Sequence, residues 1–254
     1  MLLAIDVGNT NIVGGVFDGE RLACDFRIHT DDRVTGDELG LTIVELLERQ
    51  DVAPRSVTAV VVSNVVPTLA RAIESLSRTY FGQTPLVVGP GSRTGIRIQY
   101  DDPRQVGADR IANALAAAHR YGGPAVLVDF GTATTFDAIN GDGDYLGGAI
   151  APGIQISHDA LVRHAARLAR IELVAPPAAI GRSMITSMQS GIVFGYVGLV
   201  EGLVTRFRAE LGEDAKVIAT GGLAPDLATL MPSITIVDER LTLLGLRLIH
   251  GQNA

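Results

Sequence analysis

Two stretches of the chain, about half its length apart, carry the same pattern. Leu2-Leu3-Ala4-Ile5-Asp6-Val7 runs into Gly8-Asn9-Thr10, an apolar stretch and the turn Asp18-Gly19. Val126-Leu127-Val128-Asp129-Phe130 runs into Gly131-Thr132, a Thr-rich stretch and the turn Asn140-Gly141-Asp142-Gly143. Each reads as strand, Asp-x-Gly turn, strand, hairpin turn, strand. A chain that says the same thing twice at this separation is expected to hold two copies of one α/β unit, divided here as residues 1–113 and 114–254.

The rest of each half fits that class. Thr35-x-x-Glu38 is a capping box that opens a helix with Leu39, Ile43, Leu46 and Leu47 on one face. Residues 57–63 form a nearly continuous apolar run, as a strand buried on both faces requires. Pro67 suits a first helical position before Leu69, Ile73, Leu76 and Tyr80. A short strand is expected at 86–88 and a helix over 105–121. In the second half, strands are expected at 126–129, 134–139, 145–150, 216–220 and 234–237. Helices are expected at 154–168, 183–211, 225–230 and 241–249. Strands alternating with helices give α/β class.

Composition removes several functions. Lys216 is the only lysine among the 21 Lys and Arg residues, and no Gly-rich loop precedes it. A lysine-armed phosphate loop and Schiff-base chemistry are thereby excluded. One cysteine, Cys24, excludes an intrachain disulfide and a cysteine-cluster zinc site. The five His are scattered. A net charge of −7 argues against tracking a nucleic-acid backbone. Asp6 interrupts the first apolar run, so no signal peptide is expected. The uncharged stretch 183–200 holds several Ser and Thr residues and makes a poor membrane span. A cytosolic protein is expected, with no nucleic-acid or membrane partner.

The repeated loops are where chemistry can sit. In Asp6-Val7-Gly8-Asn9-Thr10-Asn11, a glycine just after a buried strand lets backbone approach a phosphate, and turn amides make an anion-binding concavity. Asp6 can hold Mg²⁺ beside those phosphates, through water. The same residues also suit an ordinary hairpin turn. The second copy, Asp129-Phe130-Gly131-Thr132-Ala133-Thr134-Thr135, repeats acid, glycine and hydroxyls. Two such loops can grip a polyphosphate from two sides and spread the charge of a transferring phosphoryl group. Thr220-Gly221-Gly222 could admit an adenine against backbone, or be a plain strand–helix turn. Asp109, in Gly107-Ala108-Asp109-Arg110, stands at the start of a helix. It could accept a proton from an attacking hydroxyl, or simply cap the helix.

Taken in order, Asp6-x-Gly8-Asn9-Thr10, Gly107-Ala108-Asp109-Arg110, Asp129-Phe130-Gly131-Thr132-Ala133-Thr134 and Gly147-Gly148-Ala149-Ile150-Ala151-Pro152-Gly153 resemble the motifs of type III pantothenate kinases. Gly181-Arg182-Ser183 and Met188-Gln189-Ser190-Gly191 extend the resemblance over essentially the whole chain. It implies two ribonuclease-H-like halves of the acetate and sugar kinase, Hsp70 and actin superfamily, with a nucleotide cleft between them. It implies ATP-dependent phosphorylation of pantothenate, the first step to coenzyme A. By the same resemblance, Asp6, Val7, Gly8, Asn9, Thr10, Asn11, Ile12, Val13 and Thr132 bind ATP. Asp109 is the catalytic base, and Tyr100, Gly107, Ala108, Asp109, Arg110 and Met184 form the pantothenate site. Asp129 holds a monovalent cation, K⁺ or NH₄⁺, while Mg²⁺ accompanies ATP.

Two positions depart from the family pattern. Met184 stands where the family usually has Thr, which removes one hydroxyl contact to substrate, worth about 1 kcal/mol. Asp102 before Pro103 replaces the more usual Asn. Gly191, Gly195, Gly198 and Gly202 line one face of the long expected helix at about 1 kcal/mol each relative to Ala. Close packing within the subunit accounts for them equally well, and the resemblance favours a homodimer. Other readings are a related kinase with a different acceptor, a catalytically silent nucleotide-binding homologue, and a ribonuclease-H-type nuclease. The intact acids and the net charge oppose the last two.

Overall fold

The computed structural model describes all 254 residues. They form two compact units, Met1–Arg120 with Arg240–Ala254, and Tyr121–Glu239. The sequence division at 113/114 follows the repeat. The units follow contact, and they place both the helix Ala108–Tyr121 and the last helix mainly or wholly with the first sheet.

The first unit is built on β1 (Leu2–Val7), β2 (Asn11–Asp18), β3 (Arg21–His29), β4 (Ala59–Asn64) and β5 (Leu86–Val87), in the order β3-β2-β1-β4-β5. β1 to β3 are antiparallel neighbours, while β4 and β5 join in parallel. The second unit uses β6 (Ala125–Phe130), β7 (Ala133–Ile139), β8 (Tyr145–Pro152), β9 (Lys216–Thr220) and β10 (Ile236–Val237). Their order, read from β8, is β8-β7-β6-β9-β10, with the same pattern of directions. The repeat seen in sequence is thus a repeat of topology.

Each sheet buries one face under its own helices. In the first unit, α1 (Gly36–Glu48) and α2 (Ala70–Phe81) pack Leu39, Ile43, Leu47, Ile73 and Leu76 against Leu3, Ile5, Val7, Val60 and Val62. The Thr35–Glu38 capping box forms as expected. Because side chains alternate along a strand, Ala4, Asp6, Val61 and Ser63 project to the opposite face. That face is met by α8 (Leu241–Asn253), which packs on β1, β2 and β4, and Gly15 of β2 lies against Leu243. α3 (Ala108–Tyr121) stacks on α8 where Gly245 lies so close to the Ala112 carbonyl that any side chain would collide.

In the second unit, α4 (Ile154–His164), α5 (Met184–Gln189), a π-helical turn (Ser190–Phe194), α6 (Gly195–Leu211) and α7 (Ala224–Ala228) surround the other sheet. Met188, Ile192, Val193, Tyr196, Val200 and Val204 pack against Val126, Val128 and Phe130. Met184–Leu211 is long and apolar enough to cross a membrane by length and composition, and its buried stripe forms part of this core.

Several boundaries differ from the sequence expectation for visible reasons. The helix expected from 105 begins at Ala108, because Asp102 caps a separate 3-10 turn at Pro103–Gln105. The helix expected to reach 168 stops at His164, where the chain turns back and the Ile171 N–H donates to Nε2 of the buried His158. The strand at 57–63 runs instead from Ala59 to Asn64, since Val57 closes a 3-10 turn at Pro54–Ser56. Only Ile236 and Val237 of the expected strand 234–237 pair with β9.

Candidate active site

The first Asp-x-Gly loop is held from within and from one neighbour. The Gly8 N–H donates to the Asn11 carbonyl at 3.0 Å, closing the turn between β1 and β2. Thr30, just after β3, clamps it from the side. Its hydroxyl donates to the Gly8 carbonyl at 2.7 Å, and its N–H donates to the Thr10 carbonyl at 2.9 Å. With its carbonyls tied down, the loop offers the exposed Asn9 and Thr10 side chains to solvent, while Asp6 is half-buried on β1. Val7 and Ile12 are core residues, and Asn11 and Val13 are half-buried. A cavity of about 430 Å³ beside Asn9 is walled by His29, Thr30, Asp31, Asp32, Val66 and Thr68. Nothing in the local sequence around Thr30 ties it to residue 8, so only the fold reveals the clamp.

The second loop closes in the same sense but is one residue shorter. The Gly131 N–H donates to the Ala133 carbonyl at 3.1 Å. Here Gly153, at the end of β8, supports the loop so closely that a Cβ would strike the carbonyl oxygens of Gly131 and Thr132. Thr132 is exposed. Asp129 is half-buried, and its carboxylate lies against the backbone of Gly221 (φ +91°), where any Cβ would collide with it. The left-handed conformation and the close approach both require glycine there. Below the loop, the Thr134 and Tyr196 hydroxyls are hydrogen-bonded to each other, and the Phe130 and Tyr196 rings lie 6.2 Å apart. Tyr196 sits among apolar residues of its helix, so by sequence it reads as core alone.

Asp109 occupies the first turn of α3, where the helix N-terminus favours negative charge. Its Oδ1 accepts the Arg110 N–H at 2.9 Å and lies where a Cβ on Gly107 would be. Ala108 and Asp109 are half-buried and Arg110 is buried. Tyr100 is half-buried ahead of the Asp102 turn. There Asp102 takes a two-point grip from Arg104 (2.9 and 3.1 Å), which with the Arg104 N–H holds its carboxyl below the usual carboxylate range. The first unit thus carries Asp6 on the sheet face met by α8, and Asp109 at the start of the helix stacked on α8. Met184 belongs to the second unit, where it is the first residue of α5 and half exposed along an apolar groove of about 440 Å³ with Leu161, Leu168 and Met188.

No three His, Cys, Asp or Glu side chains gather into a cage that could hold a metal alone. Mg²⁺ that travels with a nucleotide needs no such cage, since it usually keeps its waters and takes one or two carboxylates with the phosphates. Taken separately, each loop offers hydroxyl and carboxylate oxygens that suit a hard cation, and glycines 8 and 131 leave backbone approachable.

The profile of the type III pantothenate kinase family matches residues 2–206. A type III pantothenate kinase from Myxococcus xanthus is 53% identical over 253 residues, covering 100% of this chain and 99% of that protein. Among solved structures, a conserved Campylobacter jejuni protein of the Baf family superposes with a TM-score of 0.63 at 22% identity, covering 99% of this chain and 98% of that one. The activator of 2-hydroxyisocaproyl-CoA dehydratase from Clostridium difficile, with bound ADPNP, gives a TM-score of 0.55 at 13% identity over 99% of this chain and 95% of that one. At these identities the two structures speak for the fold.

Proposed function

Since the chain belongs to the type III pantothenate kinase family and phosphorylates pantothenate with ATP on the way to coenzyme A, we propose the following division of work among its residues. Residues 6–13 and Thr132 cradle the ATP phosphates with amides and hydroxyls, in place of the lysine that other phosphate loops use. Asp6 faces the Mg²⁺ that accompanies ATP, through water. Asp129 faces a monovalent cation, K⁺ or NH₄⁺. Bound metal neutralises charge on the phosphates as the γ-phosphoryl group moves.

Asp109 is the base. Its Oδ1 is occupied by the Arg110 N–H, so Oδ2 is the oxygen turned to the primary hydroxyl of pantothenate. It takes the proton as the hydroxyl oxygen bonds to the γ-phosphorus and ADP leaves. Tyr100, Gly107, Ala108, Arg110 and Met184 hold the rest of the acceptor. The observation that carries this reading is the same Asp-x-Gly loop at the end of the same strand in two identically wound sheets.

We also infer a homodimer, in the cytoplasm. Gly191, Gly195 and Gly198 face solvent with nothing within 4 Å of where a side chain would stand. Packing inside the subunit therefore does not account for them, and a second copy's helix would. The experiment for the whole reading is conversion of pantothenate to 4′-phosphopantothenate by purified protein with Mg-ATP, with and without potassium. Asp109→Asn should lower turnover by about 100-fold or more with ATP affinity unchanged. Full activity in that variant overturns the assignment of the base.

A further inference from the structure

Two hydroxyls that the reaction scheme leaves out sit beside the two loop acids. Parallel pairing sets Ser63 of β4 in register with Asp6 of β1, and Thr220 of β9 in register with Asp129 of β6. Registered neighbours on adjacent strands are about 4.8 Å apart and project from the same face. A short hydroxyl side chain at one can therefore reach a carboxylate at the other. Ser63 is 0% exposed and Thr220 is 1% exposed. Neither hydroxyl oxygen has a hydrogen-bond partner within the protein.

Buried polar groups are bonded in the great majority of cases, and each exception asks for a reason. Packing is not the reason here. Ser63 ends a run of three valines, and Thr220 follows Val217-Ile218-Ala219, so an apolar side chain would satisfy either strand. The same exception also recurs at equivalent places in both copies of the fold. The two acids share this neighbour type and their place next to last in a strand that runs into a glycine loop.

We propose that Ser63 and Thr220 are positioning residues. Each donates its hydroxyl proton to the carboxylate beside it once metal and nucleotide are bound, fixing one carboxylate oxygen so that the other faces the bound charge. Within the chain itself each hydroxyl is buried and has no hydrogen-bond partner. The inference rests on the proposed roles of Asp6 and Asp129, and the test separates the two.

Melting curves of the parent and variants would be recorded in potassium buffer, without ligand and across a titration of Mg-ATP without pantothenate. Ser63→Ala and Thr220→Val remove a partnerless hydroxyl, so without ligand they should melt at the parent's temperature or above it. With ligand, each should need about tenfold more Mg-ATP for the same stabilisation, the weight of a hydrogen bond to a charged group. Ser63→Thr and Thr220→Ser, which keep the hydroxyl, should titrate as the parent does. Parent-like titration by the Ala and Val variants overturns the positioning role, as does a fall in their ligand-free melting that matches the loaded fall. Asp6→Asn and Asp129→Asn serve as the reference. If they titrate as the parent does, the assignment of the acids is what fails. If they weaken binding while the hydroxyl variants do not, only the positioning role fails.

Discussion

The Tyr196 hydroxyl meets the Thr134 hydroxyl inside the second unit, tying α6 to the strand that leaves the Asp129 loop. Burial pushes the phenol up to about 12, the negative charge of Asp129 adds to the rise, and the Thr134 bond opposes it. Tyr196 therefore stays protonated at any pH the protein meets. Tyr196→Phe should leave Thr134 buried without this partner and lower stability by about 1–3 kcal/mol, read as an earlier denaturant midpoint. Adding Thr134→Val to that variant should recover part of the loss, because the stranded hydroxyl is then gone. Two independent, additive losses would show that the bond contributes nothing.

Gly153 bears on the second loop through the carbonyls it nearly touches. Gly153→Ala must move Gly131 and Thr132, because backbone rather than a flexible side chain stands in the way. We expect ATP binding to weaken by about tenfold or more, the scale of a lost charge-assisted contact, with the far-ultraviolet circular dichroism of the parent retained. Unchanged affinity would show that residues 131–132 do not hold the nucleotide.

The glycines of the long helix offer a test in which the sign alone decides. A methyl group at Gly195 or Gly198 meets nothing in the same chain. In an isolated subunit, alanine there should stabilise the helix by about 1 kcal/mol per site. Against a partner helix the same methyl intrudes. The double variant Gly195→Ala, Gly198→Ala should therefore self-associate more weakly in sedimentation velocity, while its dilute form melts higher. Association equal to that of the parent would remove this face from the interface.

His250 lies in the last turn of α8, and burial lowers its pKa below the ordinary imidazole value. The unfolded chain then binds the proton more readily than the folded one. The stability involved is present above about pH 6.5 and is lost as pH falls through that value toward the folded pKa. His250→Gln should flatten the dependence of melting temperature on pH between about 7.5 and 5.5. An unaltered slope in that window would mean that other groups set it.

The duplicated unit was legible because Asp-x-Gly after an apolar strand is a local pattern, and it was written twice. The capping box at Thr35 and the buried valine strand were legible for the same reason. Thr30, Gly153, Ser63 and Tyr196 were not legible as site residues, since each acts across strands or helices brought together by folding. A serine after three valines reads as the end of a strand until the register places it beside Asp6. The glycine stripe shows the reverse case. Its spacing was plain, yet whether the chain itself covers that face needed coordinates. The end of α4 is not legible in the sequence, because a histidine thirteen residues before Ile171 bonds that residue's amide, and no periodicity records such a bond.

The helix that closes the first sheet follows every strand and helix of the second unit along the chain. Leu241, Leu243, Leu244, Leu246 and Ile249 bury themselves there, and Arg240 pairs with Asp25 at 3.1 Å at its start. During synthesis, which proceeds from the N-terminus, the strand bearing Asp6 is made before the second unit, while the helix that meets its outer face is made only after it. The nascent first unit thus keeps an uncovered apolar surface until every residue of the second has been added. A kinase truncated before residue 241 would lose the cover of a strand made more than 200 residues earlier.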